Sequence, residues 1–124
     1  MNGDKLFLDT NIILYLLNGD ETIAELLNGK QLYISIITEL ELLGFKGITK
    51  KEEKIVADFI TQCKVININD IIKKQAVGIR KNYGTKLTDS IIIASALHME
   101  LPLVTADAEF KKVGELALVF YEND

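Results

Sequence analysis

A single three-layer α/β domain with a mostly parallel central sheet is the fold this sequence predicts, and three observations predict it. Short apolar runs with β-branched and aromatic content recur along the 124 residues, segments of helical spacing fall between them, and the two kinds alternate from end to end. Runs as continuously apolar as these suit strands covered on both faces, which is the situation of parallel strands joined by crossover helices.

Leu6-Phe7-Leu8 is the first predicted strand and is ended by Asp9; helical spacing then runs from Ile12 to Leu17 and from Ile23 to Leu27. Leu32-Tyr33-Ile34-Ser35 is the second strand, followed by helical segments from Thr38 to Phe45 and from Glu52 to Cys63. Lys64-Val65-Ile66-Asn67-Ile68 is the third, followed by helices from Asp70 to Lys81 and from Asp89 to Met99, with Gly84 ending a helix or turning the chain between them. Pro102 opens the Leu103-Val104-Thr105 strand, where its missing N–H is tolerated. Ala117-Leu118-Val119-Phe120-Tyr121 is the fifth strand. No linker, repeat or low-complexity tract interrupts the chain, so residues 1–124 are expected to form one domain.

A hydrophobic fraction of 48% with 26% charged residues suffices for a core without disulfides or a structural metal, which sets disorder aside. The single cysteine, Cys63, has no partner for a disulfide or a thiolate metal site, and a reducing compartment fits best. The polar Met1-Asn2-Gly3-Asp4-Lys5 start does not resemble a signal peptide, and no segment reaches the length of a membrane span. A cytoplasmic protein without membrane contact is the expectation. The net charge of −4 and pI near 5.0 argue against passive nucleic-acid binding, but not against an enzyme that meets phosphates through bound cations.

Four carboxylates carry the functional signal. In open parallel sheets ligands bind beyond the carboxyl ends of the strands, near the point where strand order reverses. Asp9 ends the first strand, Asp107 follows the Leu103 strand by two residues, and Glu41 lies in the helix after the second strand. Asp89 opens a helix that should begin at the same edge, so all four can converge. Each has a simpler explanation. Asp9, Thr10 and Asn11 are all good N-caps, Thr88-Asp89 reads as a cap followed by an acid favoured by the helix dipole, and Asp107 suits a short turn containing Glu109 and Phe110. Glu41, inside Leu40-Glu41-Leu42-Leu43, is the acid that folding explains least, because an acid on a core-facing side is costly unless paired or ligating. Glu39 competes with it and would point to another side of the helix.

Capping explains individual acids but not four of them at one sheet edge. Clustered carboxylates repel, so such a cluster calls for protonation or a cation, and an all-oxygen set favours Mg²⁺ or Mn²⁺. Those ions suit phosphodiester hydrolysis.

The motifs Leu8-Asp9-Thr10-Asn11, Ser35-Ile36-Ile37-Thr38-Glu39-Leu40-Glu41-Leu42, Leu87-Thr88-Asp89-Ser90-Ile91-Ile92-Ile93-Ala94 and Leu103-Val104-Thr105-Ala106-Asp107-Ala108-Glu109-Phe110 occur in this order and cover essentially the whole chain. With them the sequence resembles a PIN domain, and in size and motif order the VapC-type ribonuclease toxins of toxin–antitoxin pairs. The resemblance implies a five-stranded sheet of order 3-2-1-4-5 within an α/β/α domain. It implies Asp9, Glu41, Asp89 and Asp107 as the catalytic, metal-binding quartet, with Asn11 and Thr105 as polar support. Thr38 sets the register that selects Glu41 over Glu39. The implied activity is a Mg²⁺- or Mn²⁺-dependent endoribonuclease acting on RNA, commonly a homodimer held by a small antitoxin whose helical tail covers the acids. The apolar residues of the Leu40 to Ile60 helices would supply its groove, although core packing explains most of them.

Arg80 is the only arginine, and the expected phosphate contacts are Lys46, Lys50, Lys51, Lys81 and Lys86, although any one of them taken singly reads better as solvated surface charge. His98 suits a helix C-terminus, and Tyr15, Tyr33, Tyr83 and Tyr121 are too scattered in sequence to suggest a base-stacking platform. A phosphoacceptor signalling domain fails because the first strand offers Asp9 alone. A PIN-fold RNA-processing nuclease that is not a toxin, and a non-catalytic PIN-fold binding module, remain as alternatives.

Overall fold

A computed structural model describes residues 4–122; the polar start at Met1 to Gly3 and the final two residues lie outside that range. Five strands form one sheet: β1 (Lys5–Leu8), β2 (Gln31–Ser35), β3 (Cys63–Ile66), β4 (Leu103–Thr105) and β5 (Leu118–Phe120). Every pairing is parallel and the order is β3-β2-β1-β4-β5, as the resemblance implies. The chain winds outward from β1 through β2 to β3, then returns to β4 and β5, so strand order reverses between β1 and β4.

Alternation along the central strands separates two cores. Phe7, Tyr33 and Leu103 face helices α5 (Asp70–Tyr83) and α6 (Leu87–Met99), where Ile72, Ala76, Ile92 and Ile93 are buried. Leu6, Leu8, Ile34 and Val104 face the other side, packed against Ile12 and Ile13 of α1 (Thr10–Leu17) and Ile23 of α2 (Glu21–Leu27). Leu42 of α3 (Ile36–Leu43) and Val56 of α4 (Lys50–Thr61) complete that face. The three layers follow directly.

Helix α5 begins at Asp70 as expected, while the other helices start two residues before the expected positions, α2, α3 and α4 because polar caps begin them before their first buried residue. Asp20 accepts from the Ile23 N–H, Ser35 from that of Ile37, and Thr49 and Glu52 form a reciprocal capping box. Helix α3 stops at Leu43 rather than Phe45: the Gly44 N–H closes on the Leu40 carbonyl, where an added Cβ would meet that oxygen at 2.8 Å. Phe45 is thereby left 64% exposed. Cys63 opens β3 instead of ending α4. Gly84 ends α5 in the left-handed conformation, φ 69°, which glycine adopts without a Cβ penalty. No helix among the described residues is long and apolar enough to cross a membrane.

Candidate active site

The carboxyl end of β1 delivers Asp9 to the reversal point. Its N–H is held by the Val104 carbonyl of β4 at 3.0 Å, and its carboxylate divides its work between two partners. Oδ1 accepts from the Thr10 N–H at 2.8 Å, capping α1, and Oδ2 accepts from the Thr105 hydroxyl at 2.7 Å. Thr105, fully buried at the end of β4, also accepts from the Asp107 N–H at 3.1 Å. One hydroxyl therefore ties the two strand-end aspartates together. Asp107 in turn caps the 3-10 turn Ala108–Lys112 through the Glu109 N–H.

Helix α6 reaches this edge without a capping side chain, since Lys86 and not Thr88 is its N-cap. The Ser90 hydroxyl secures the turn instead, donating to the Lys86 carbonyl at 2.8 Å and sharing a bond with the Thr85 hydroxyl. Asp89 then stands in the third helical position, half-buried, where the helix dipole favours its charge.

Glu41 is exposed, contrary to its expected core-facing placement. The apolar run around it is not a single buried face: Leu42 is buried while Leu40 is 60% exposed. What orients Glu41 is Thr10, whose hydroxyl donates to its Oε1 at 2.7 Å and shares a 2.9 Å bond with the buried Thr38 hydroxyl. Thr38 and Glu41 are three residues apart on one face of α3. Glu41, and not Glu39, lines the cleft described next.

Asp9, Asn11, Glu41, Asp89 and Asp107 line one open pocket of about 310 Å³, with Thr10, Leu14, Lys86 and Thr88 around them. Thr38 and Thr105 lie behind it as hydrogen-bond supports. Burial, first of all, pushes the Asp9 carboxyl up to about 6, against the opposing pull of its bonds from Thr105 and Thr10, and Asp89 and Asp107 add to the rise. Asp89 is raised by burial and then by Asp107 and Glu41, with Lys86 opposing. The acids thus repel one another across the pocket.

An oxygen-only donor set with accumulated negative charge fits a hard divalent cation. The acids do not form a closed cage: among the described residues no three His, Cys, Asp or Glu side chains stand as a ready metal-holding group. Of the six cations singled out in the sequence, only Lys86 lines the cleft. Arg80 donates to the Thr85 carbonyl and so braces the turn before α6. His98 meets Asn69, away from the acids.

A second recess of about 340 Å³ adjoins the first and shares Thr10, Leu14 and Glu41 with it; Leu42, Phe45 and Ile48 make it largely apolar. Sequence reasoning missed Thr10, which it took for a capping residue. The signal that distinguishes it is its position directly after Asp9, which turns its hydroxyl toward α3.

An acid-lined cleft at the reversal point of a 3-2-1-4-5 parallel sheet defines a class of small α/β domains with a carboxylate centre. The chain belongs to the PIN domain family, whose model matches residues 6–116. PIN domains are in general nucleases. Solved structures place it nearer still to toxin–antitoxin proteins. A toxin–antitoxin complex from Klebsiella pneumoniae is 31% identical with a TM-score of 0.82, covering 95% of this chain and 99% of the other. A DNA-bound VapBC from Salmonella typhimurium is 25% identical with a TM-score of 0.82, covering 94% and 97%. VapBC from nontypeable Haemophilus influenzae is 25% identical with a TM-score of 0.75, covering 94% and 97%. No curated protein sequence matches the chain.

Proposed function

We propose that the chain is a Mg²⁺- or Mn²⁺-dependent endoribonuclease and the toxin of a toxin–antitoxin pair. The observation that carries this reading is the convergence of Asp9, Glu41, Asp89 and Asp107 on one pocket, with the Asp9 and Asp89 carboxyls raised by burial and by their acidic neighbours. Those four side chains would hold the ion. Bound there, a divalent cation would supply an activated water and charge stabilisation at a phosphate undergoing in-line displacement.

The chain's own residues do the rest. Thr105 holds Asp9 and the Asp107 backbone in fixed relation, and Thr38 with Thr10 aims Glu41. Asn11 brings an amide, able to donate to a substrate hydroxyl or phosphate oxygen, to the rim of the cleft. Lys86, the cation among the cleft's lining residues, would contact the phosphate that the acids alone would repel. The apolar recess beside Glu41 suits the helical tail of a small antitoxin: exposed Phe45 and Leu14 offer anchors, and a chain seated there would reach the acids. Assembly as a homodimer, and residence in the cytoplasm, belong to the same family reading.

The open arrangement of the acids is the one observation that favours a non-catalytic PIN-fold binding module, and cleavage separates the two. Purified protein is expected to cut single-stranded or structured RNA with Mg²⁺ or Mn²⁺ and to stop in EDTA. A wild type inert toward every RNA tried, with either ion, contradicts the proposal. Expression alone is expected to arrest growth; unimpaired growth at a verified protein level would favour an RNA-processing nuclease that is not a toxin.

A further inference from the structure

Tyr15 and Tyr121, far apart in sequence, meet beyond the acid cleft with ring centroids 5.9 Å apart and planes tilted by 56°. The Tyr121 hydroxyl donates to Asp20 at 2.6 Å and its N–H to the Thr105 carbonyl at 2.8 Å, so this ring is fixed in place. Next to it the Lys111 ammonium stands 3.9 Å above the Phe120 ring. These side chains bound a recess of about 530 Å³ whose floor includes Ala106 and Ala108.

The recess and the acid cleft share no lining residue but are lined by neighbouring residues at two places. Asp107 lines the cleft while its neighbours Ala106 and Ala108 line the recess. Asn11 lines the cleft while Tyr15, four residues on and on the same face of α1, lines the recess. Covering the core explains why Tyr15 and Tyr121 are partly buried, but not why three aromatic rings and a lysine surround an open recess beside the acids. Its charge content is mixed, one ammonium from Lys111 and one carboxylate from Glu122, which suits a flat neutral base with a phosphate at one end rather than a phosphate alone.

We propose that this shelf takes the base of a nucleotide next to the scissile phosphate, with Tyr15 as the stacking face, Tyr121 as its rigid backing and Lys111 as the contact to the adjoining phosphate. The proposal rests on the acid cleft as the place where RNA is cut. Aromatic stacking acts alongside phosphate contacts in holding single-stranded nucleic acid, and it counts for more in a chain whose net charge is −4.

The test is anisotropy of a labelled single-stranded oligoribonucleotide bound to the full chain in EDTA, where cleavage is excluded. Tyr15→Leu is expected to weaken binding about tenfold, the size of one lost base stack, while Tyr15→Phe stays within about twofold of wild type. An oligonucleotide carrying abasic sites should lose the same factor on wild type and nothing further on Tyr15→Leu. Lys111→Gln, a change at an exposed side chain, should weaken binding and flatten its salt dependence, which keeps the test open if Tyr15→Leu does not fold. No binding by wild type, or binding unchanged in both variants, overturns the shelf. Wild type that binds as expected yet never cuts RNA in Mn²⁺ overturns the nuclease reading and leaves the shelf standing.

Discussion

Asp9→Asn and Asp89→Asn should each lose RNA cleavage by about a thousandfold or more, because several kcal/mol of transition-state stabilisation depends on a bound divalent cation and each decade of rate is about 1.4 kcal/mol. The geometry makes the two losses arise differently. Asp9 is buried behind Thr105 and the Thr10 N–H, so an amide there keeps the cap through its oxygen but turns a donor toward a hydroxyl that previously donated to it. Asp89 sits half-buried on α6, whose start has no side-chain cap to lose, so its amide variant should retain the wild-type fold. Cleavage in Mn²⁺, measured beside circular dichroism, checks both. Rates within tenfold of wild type in folded Asp89→Asn would mean that the acid is only a dipole-compatible residue of the helix start.

Without metal, Asp9→Asn should be more stable than wild type at neutral pH, although it is inactive. The Asp9 carboxyl titrates near 6 in the folded chain against an ordinary 3.8, a difference corresponding to about 3 kcal/mol between the neutral and charged forms. The folded pKa is the higher, so Asp9's contribution is fully present below about 3.8 and is lost as pH rises through about 6. Asp89 is shifted in the same direction, also chiefly by burial. Urea unfolding in EDTA should therefore show the variant gaining on wild type between pH 4 and pH 8, by about 3 kcal/mol at most. A constant difference across that range would show that Asp9 is not strained by its charge. This is the expected cost of holding an acid cluster ready for a cation.

The elements were legible because the strands are short continuous apolar runs covered on both faces, as at Leu6-Phe7-Leu8, whereas α4 and α5 carry their apolar residues at helical spacing. The start of α5 at Asp70 was legible, but those of α2, α3 and α4 were not, since Asp20, Ser35 and Thr49 begin their helices before the first buried side chain. Strand order is not written in the strands themselves; it came with the family resemblance. Within the site, the strand-end acids were visible because a charged residue closes an apolar run. Glu41 was reached through the Thr38 register, while the physical reason first attached to it failed: exposed Leu40 shows that apolar neighbours in sequence need not share a buried face. Tyr15 and Tyr121 looked scattered because α1 follows β1 and Tyr121 follows β5, and only the fold, with β4 between those strands, brings them together.

The claim that the quartet is a divalent-cation site is tested most directly by calorimetric titration of Mn²⁺ into wild type and into Asp9→Asn. Cation binding requires the carboxylates deprotonated, so wild type should bind with an affinity that falls as pH drops below about 6, releasing protons near that pH. Asp9→Asn should bind at least about tenfold more weakly, as expected when a ligand is lost. Equal Mn²⁺ binding by the two proteins, or none by wild type, would contradict the assignment.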